Sequence, residues 1–119
     1  MKKIEAIIRT SKFEEVKAAL HEIDIDFFTY MDTTGVGNEK KKSEQVYRGT
    51  VLDTAFIPRR LLEIVVRDQN VRKTVDCLLK TAYTGEVGDG RIFVTPVDEA
   101  WKIRSQTSGD ETLKGDYEK

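Results

Sequence analysis

The stretch TGEVGDGRIFV, residues 84–94, places Gly85, Gly88 and Gly90 within six residues, with Asp89 between the last two and Arg91 at the exit. Glycines let main-chain amides approach an anion closely, and successive amides in such a loop form a nest for phosphate. Arg91 adds a forked, fixed positive charge. The competing explanation is a helix end followed by a turn, with Gly85 at the left-handed position just past the helix. A short glycine pattern alone does not decide between the two. Two further features bear on the choice. Lys102 and Arg104 stand at i and i+2 in WKIRS, so an extended segment aims both the same way. Gly35 and Gly37, followed by Asn38, offer a second glycine turn. Three phosphate-compatible features in one small chain point to an anion ligand, and a nucleotide is the natural candidate.

Other residues with reactive side chains carry less. His21 is the only histidine, so no histidine pair can build a metal site, and a solvated side chain is expected. Cys77 has no histidine base in any evident constellation and reads as a structural thiol. Lys40, Lys41 and Lys42 form a basic run, but flanking Glu39 and Glu44 favour a solvated loop tip or protein-contact surface over nucleic acid. Trp101 beside the basic pair reads first as packing.

At 119 residues the chain is one domain with a core large enough to need no metal or disulfide staple. A formal net charge of -1 exerts no global pull on nucleic acid or anionic membrane. The lone cysteine suits a reducing cytoplasm, and neither a signal peptide nor a membrane-spanning apolar run is evident, so a cytoplasmic protein without membrane insertion is expected.

The elements that position these residues follow from periodicity. KKIEAIIR, Lys2–Arg9, is a short β-branched strand. Ser11 with Glu14 makes a capping-box start for a helix whose Phe13, Val16, Leu20 and Ile23 share one side. Alternating Ile25, Phe27, Thr29 and Met31 suggest a second strand over 25–31. A third strand covers 59–68, and Asp68 caps a second helix carrying Val71, Val75, Leu78 and Ala82 on one side. RIFVTPV, residues 91–97, is the last strand. The order β-α-β-β-α-β is the α+β, ferredoxin-like arrangement, with two helices covering one sheet face. The other face holds apolar residues, which self-association would bury. Between the second and third strands lies a connection far longer than a hairpin needs, rich in glycine and charge, expected to be a mobile loop that changes shape. Residues 105–119 are polar and expected to form a flexible tail.

At this point MKKIEAIIR, VYRGT, EIVVRD, TAYTGEVGDGRIFV and KIR, in that order, resemble the PII signal-transduction proteins over residues 1–104. The resemblance implies a ferredoxin-like homotrimer in which ATP and ADP compete for clefts between subunits. It makes the long connection, about 36–57, the family's T-loop and residues 84–91 its B-loop. Gly88, Asp89, Gly90 and Arg91 would cradle the phosphates, with Lys102 and Arg104 reaching in from the adjacent subunit. Thr29, with the strand backbone at Glu63, Ile64 and Val65, would meet adenine and ribose. Gly35, Gly37 and Asn38 would form the loop root that senses which nucleotide is bound, and Ile7 would also line the nucleotide site. Lys40, Lys41, Lys42, Tyr47, Arg48 and Leu52 would present the loop to a partner, either a membrane transporter or an enzyme of nitrogen metabolism. No catalytic residue and no resident metal is implied; Mg²⁺ with ATP is an open option.

Several positions depart from that pattern. The family's uridylylated tyrosine aligns with Leu52, which has no hydroxyl. Thr50 falls where some members carry a phosphorylated serine. The loop-root glutamine that helps hold Mg²⁺ and 2-oxoglutarate is missing, with Glu39 near its place; a carboxylate there adds negative charge beside a dianion and a triphosphate. Arg59 aligns with the lysine that pairs with 2-oxoglutarate. The usual RTGE after the basic pair is replaced by SQTS. The balance falls against 2-oxoglutarate sensing and tyrosine modification; the alternative is a conventional PII regulator that senses 2-oxoglutarate with Mg²⁺. A nucleotide hydrolase is disfavoured by the lack of a Walker-type lysine–serine pair and of a water-activating base. An RNA-binding module is disfavoured by the missing aromatic pattern and near-neutral charge.

Overall fold

A computed structural model describes residues 1–37, 46–47, 50–51 and 55–115, with backbone alone at 46, 47, 50, 51 and 55. Its elements are β1 (Lys2–Arg9), α1 (Phe13–Glu22), β2 (Thr29–Gly37), β3 (Val46–Tyr47), β4 (Thr50–Val51), β5 (Ala55–Val66), α2 (Val71–Thr81) and β6 (Arg91–Pro96). Four strands form one antiparallel sheet in the order β2-β5-β1-β6, the ferredoxin-like arrangement. The short strands β3 and β4 pair separately, Val46 with Val51 and Tyr47 with Thr50.

Period-two burial sets the two faces of the sheet. Ile4, Ala6 and Ile8 of β1 and Leu62, Ile64 and Val66 of β5 are buried beneath Phe13, Val16 and Leu20 of α1 and Leu78 of α2. Fully burying each larger aliphatic side chain contributes about 1.5–3 kcal/mol before entropy is counted. Val71 and Val75 pack on the rim of this core, as does the Cys77 thiol, whose pKa burial pushes up. Neither α1 nor α2 covers the opposite face. Ile7, Leu61, Thr29, Glu63 and Arg91 share it by register, and Met31 and Phe93 are exposed there.

Several local expectations need correction. Ser11 and Glu14 form no capping box: a 3-10 turn over Thr10–Lys12 leads into α1 with no side-chain cap. Residues 25–28 are not strand. Ile25 packs on the helix-side core and Phe27 is exposed, so the alternation begins only where β2 starts at Thr29. What ends α1 is Asp24 at φ +65, whose amide donates to the His21 carbonyl at 3.0 Å, a left-handed stop filled by a residue that tolerates it. Asp68 does not cap α2 either. Its carboxylate takes the chain's amino terminus at 3.0 Å and Lys2 at 3.7 Å, which holds its pKa below the usual range. His21, expected to be merely solvated, meets the Asp26 carboxylate through Nδ1, and that contact raises its pKa.

β2 runs through Gly37 and β5 starts at Ala55, leaving 38–54 as the connection between them. Gly35 and Gly37 are therefore not turn residues. They pair with Ile57 and Ala55 inside the sheet. Among the described residues no helix is long and apolar enough to cross a membrane.

Candidate functional site

The glycine loop hangs from α2 and feeds β6, whose first residue, Arg91, sits opposite Ile7 of β1. Gly85, Gly88 and Gly90 have φ of +88, +102 and +104, values that L side chains rarely adopt. Gly85 lies four residues beyond Thr81, the end of α2, and the capping residue Ala82 is in the right-handed region, so Gly85 is not the helix stop expected of it. Gly90 is constrained twice. A Cβ there would lie 1.7 Å from the Ile7 carbonyl oxygen, because loop and strand touch backbone to backbone.

Asp89 organises this loop from inside. One carboxylate oxygen accepts from the Thr84 amide at 2.8 Å and the Gly85 amide at 3.0 Å; the other accepts from the Thr84 hydroxyl and from Arg9 Nε at 3.1 Å. These bonds, led by the Thr84 hydroxyl, hold the carboxyl well below the usual carboxylate range. Depressed in this way, the acid keeps the loop closed above its ordinary pKa of about 4 and gives way only at much lower pH. Arg9 Nη2 also donates to the Val87 carbonyl at 2.9 Å, so one guanidinium braces both limbs of the loop. Asp89 therefore acts on the loop itself, and Arg9 is a supporting residue that the sequence did not single out. The available signal was a charged residue at the end of β1; only the topology shows that it reaches residue 89. A cavity of about 510 Å³ opens beside the loop, lined in part by Ile7, Tyr83, Asp89, Gly90, Arg91 and Phe93.

Thr29, Glu63, Val65 and Lys102 gather around a different cleft, of about 530 Å³. Residues 24–28 and 112–115 complete its walls. The Ile64 side chain is fully buried in the helix-side core, so only its backbone can serve there. Lys102 and Arg104 do not share one side of an extended segment, as their spacing suggested. The chain turns at this point, with the Gln106 amide donating to the Lys102 carbonyl at 2.9 Å; Lys102 enters the cleft and Arg104 is exposed.

The candidate residues thus fall into two groups within one chain. The loop stands at the β6 edge with Ile7 on the adjacent β1, while Thr29 lies on β2 at the other edge, three strand spacings or about 14 Å from β6, and Glu63 and Val65 lie on β5 between them. Asn38, Lys40, Lys41, Lys42, Arg48 and Leu52 lie outside the described residues, and Tyr47 is described only as backbone in β3. Among the described residues no group of three or more histidine, cysteine, aspartate or glutamate side chains is arranged to hold a metal ion.

Residues 1–107 match the family model described as nitrogen regulatory protein P-II. Curated proteins carrying that description are similar over almost the whole chain. The one from Azospirillum brasilense is 42% identical over 113 residues, covering 95% of this chain and 100% of its own length. The one from Bradyrhizobium diazoefficiens is 42% identical over 109 residues, 92% of this chain and 96% of its own length. A cyanobacterial protein from Synechocystis sp. is 42% identical over 113 residues, again 95% of this chain.

Proposed function

The chain belongs to the nitrogen regulatory protein P-II family, and from that premise we propose that it is a signal-transduction protein that binds ATP and ADP where subunits of a homotrimer meet. The observation that carries this reading is the separation of the glycine loop and Arg91, on edge strand β6, from Thr29, on edge strand β2, with Ile7 and Glu63 on the two strands between. A second copy set beside the first would bring its nucleoside cleft to the first copy's polyphosphate cradle and join the two into one site. The uncovered face, with Met31 and Phe93 exposed, supports such an assembly.

In this reading Gly88, Asp89, Gly90 and Arg91 hold the phosphates through main-chain amides and the Arg91 guanidinium, and Lys102 and Arg104 of the neighbouring copy close on them. Thr29 and the backbone at Glu63, Ile64 and Val65 face the nucleoside. ATP and ADP differ by one phosphate group, so they bias the long loop only if its conformers contact the third phosphate unequally. The bias would be set near Arg91, Lys102, Gly35, Gly37 and Asn38. A transporter or nitrogen-metabolism enzyme in the cytoplasm then reads the loop through Lys40, Lys41, Lys42, Tyr47, Arg48 and Leu52. No bond is made or broken by the protein; it reports the ratio of the two nucleotides.

We propose further that 2-oxoglutarate is not sensed and that the loop is not uridylylated. Leu52 lacks the hydroxyl such a modification needs. Arg59, aligned with the residue that would meet the oxoacid, is only 7% exposed, with Nη1 donating to the Pro58 carbonyl at 3.3 Å. The second reading, a conventional regulator that senses 2-oxoglutarate with Mg²⁺, draws on the 42% identity to the curated relatives. Calorimetry with ATP, ADP and 2-oxoglutarate, each with and without Mg²⁺, separates them. Micromolar ADP and ATP binding without phosphate release, and no heat from 2-oxoglutarate even with MgATP, is the expected pattern. Oxoacid binding in the presence of MgATP establishes the second reading, and steady phosphate release would make the protein an enzyme instead.

A further inference from the structure

Within the tail expected to be flexible, residues 105–115 follow a defined path. Trp101 bridges to Ser108, the Lys102 amide donates to the Thr107 carbonyl at 2.9 Å, and the Gly109 amide donates to the Ala100 carbonyl at 3.1 Å. Gln106 at φ +62 and Gly109 at φ +77 turn the chain back on itself, and a 3-10 helix, Gly109–Leu113, carries it to the mouth of the cleft that holds Thr29, Glu63 and Val65. There Lys102 Nζ donates to the Lys114 carbonyl at 2.6 Å. Gly115 lies so close to the Phe27 ring that a Cβ on it would come 2.5 Å from Cζ and 2.8 Å from Cε2.

The geometry points to residues 112–115 as an internal occupant of the nucleoside half of the site, one that must leave when an adenine nucleotide binds. This inference rests on the nucleotide reading above and adds a regulation of that same site. The segment shares its walls with Thr29, Glu63 and Val65, and it engages the ammonium group assigned to the phosphates. Among the described residues its hold near the cleft includes the charge-assisted hydrogen bond from Lys102 and the contact with the Phe27 ring, and further back Arg67 and Asp110 stand 4.0 Å apart. An occupant of this kind lowers apparent affinity by the fraction of molecules in which the cleft is open. Nucleotide occupancy in turn drives residues 112–115 outward, adding a second response to the proposed bias of the long loop.

Gly115→Val tests this without altering any residue assigned to the nucleotide. Its side chain collides with the exposed Phe27 ring, so the ring or the segment must shift, and the seat of the segment is loosened. A chain ending at Glu111 serves as the second variant, removing the occupant outright. Both should bind ADP about three- to tenfold more tightly than the full chain. Saturating ADP should also speed carboxypeptidase release of the last residues from the unaltered protein. Equal or weaker ADP binding by both variants, or protection of the chain end by ADP, would make the segment a wall of the site and overturn the inference alone. If neither the full chain nor either variant binds ADP, the nucleotide reading falls and takes this inference with it.

Discussion

Gly90→Ala should abolish adenine-nucleotide binding and destabilise the fold at the same time. The added methyl would stand 1.7 Å from the Ile7 carbonyl oxygen and 2.9 Å from its carbon, both backbone atoms of a central strand. Neither can yield without breaking the β1–β6 pairing that holds Ile7 opposite Arg91. The loop must move instead, and φ +104 is itself strained for alanine. Holding a non-glycine residue in such a region costs about 1–3 kcal/mol, a lower bound here because the clash adds to it. Thermal or urea unfolding reads that loss. For binding, displacing even two amides from a phosphate removes charge-assisted bonds of about 1.5–3 kcal/mol each, so ADP affinity should fall by at least about a hundredfold. Wild-type stability with unchanged affinity would mean that the backbone contact between loop and strand does not exist as described.

Asp89→Ala has the next largest expected effect, and it works through the opposite chemistry. The glycine position excludes a side chain, whereas this one supplies the acceptor on which four donors converge: two amides, one hydroxyl and Arg9. Without it the Thr84 and Gly85 amides lose this partner, and among the described residues Arg9 keeps the Val87 carbonyl. The loop should open, with at least about a tenfold loss of ADP affinity. Asp89→Asn retains one acceptor oxygen but turns an amide NH₂ toward donors, so it should fall between alanine and the native residue. Arg9→Ala should give a smaller loss than Asp89→Ala, and combining the two should cost less than their sum, because the residues share one contact. Additive losses, or an Asp89→Ala protein that binds ADP normally, would show that the loop is held by something else.

How much of this was legible in the sequence differs from element to element. β1, α2 and β6 were readable because dense β-branched runs and helical spacing of Val71, Val75 and Leu78 give clean periods. The start of β2 was misplaced because Ile25 and Phe27 imitate alternation while belonging to different environments, one on the core and one at a cleft. Capping also misled. Ser11 and Asp68 have the right chemistry, but 3-10 turns precede both helices, and Asp68 finds the amino terminus more rewarding than an amide. In the candidate site the glycine loop was visible in advance, yet the work of Asp89 was not. An acid between two glycines reads as a ligand contact until Arg9, 80 residues away in sequence, is placed beside it. The path of residues 105–115 was hidden for a related reason: polar composition predicts solvation, and its hydrogen bonds run through main-chain carbonyls that carry no sequence signature.

The central claim is that one nucleotide site is shared by two copies of the chain, and mixing two charge-reversed proteins tests it most directly. Arg91→Glu damages the loop half and leaves Lys102 intact; Lys102→Glu does the reverse. Each alone should lose ADP binding in calorimetry, since every seam then contains one damaged half. Co-expressed and purified as mixed assemblies, they should recover binding, because a closed ring containing both kinds of chain has a seam where an intact loop meets an intact Lys102. Recovery with near-native affinity at a fraction of the sites is the predicted result. Mixed assemblies that bind no more ADP than the two variants do separately would place the whole site within one chain and contradict the account.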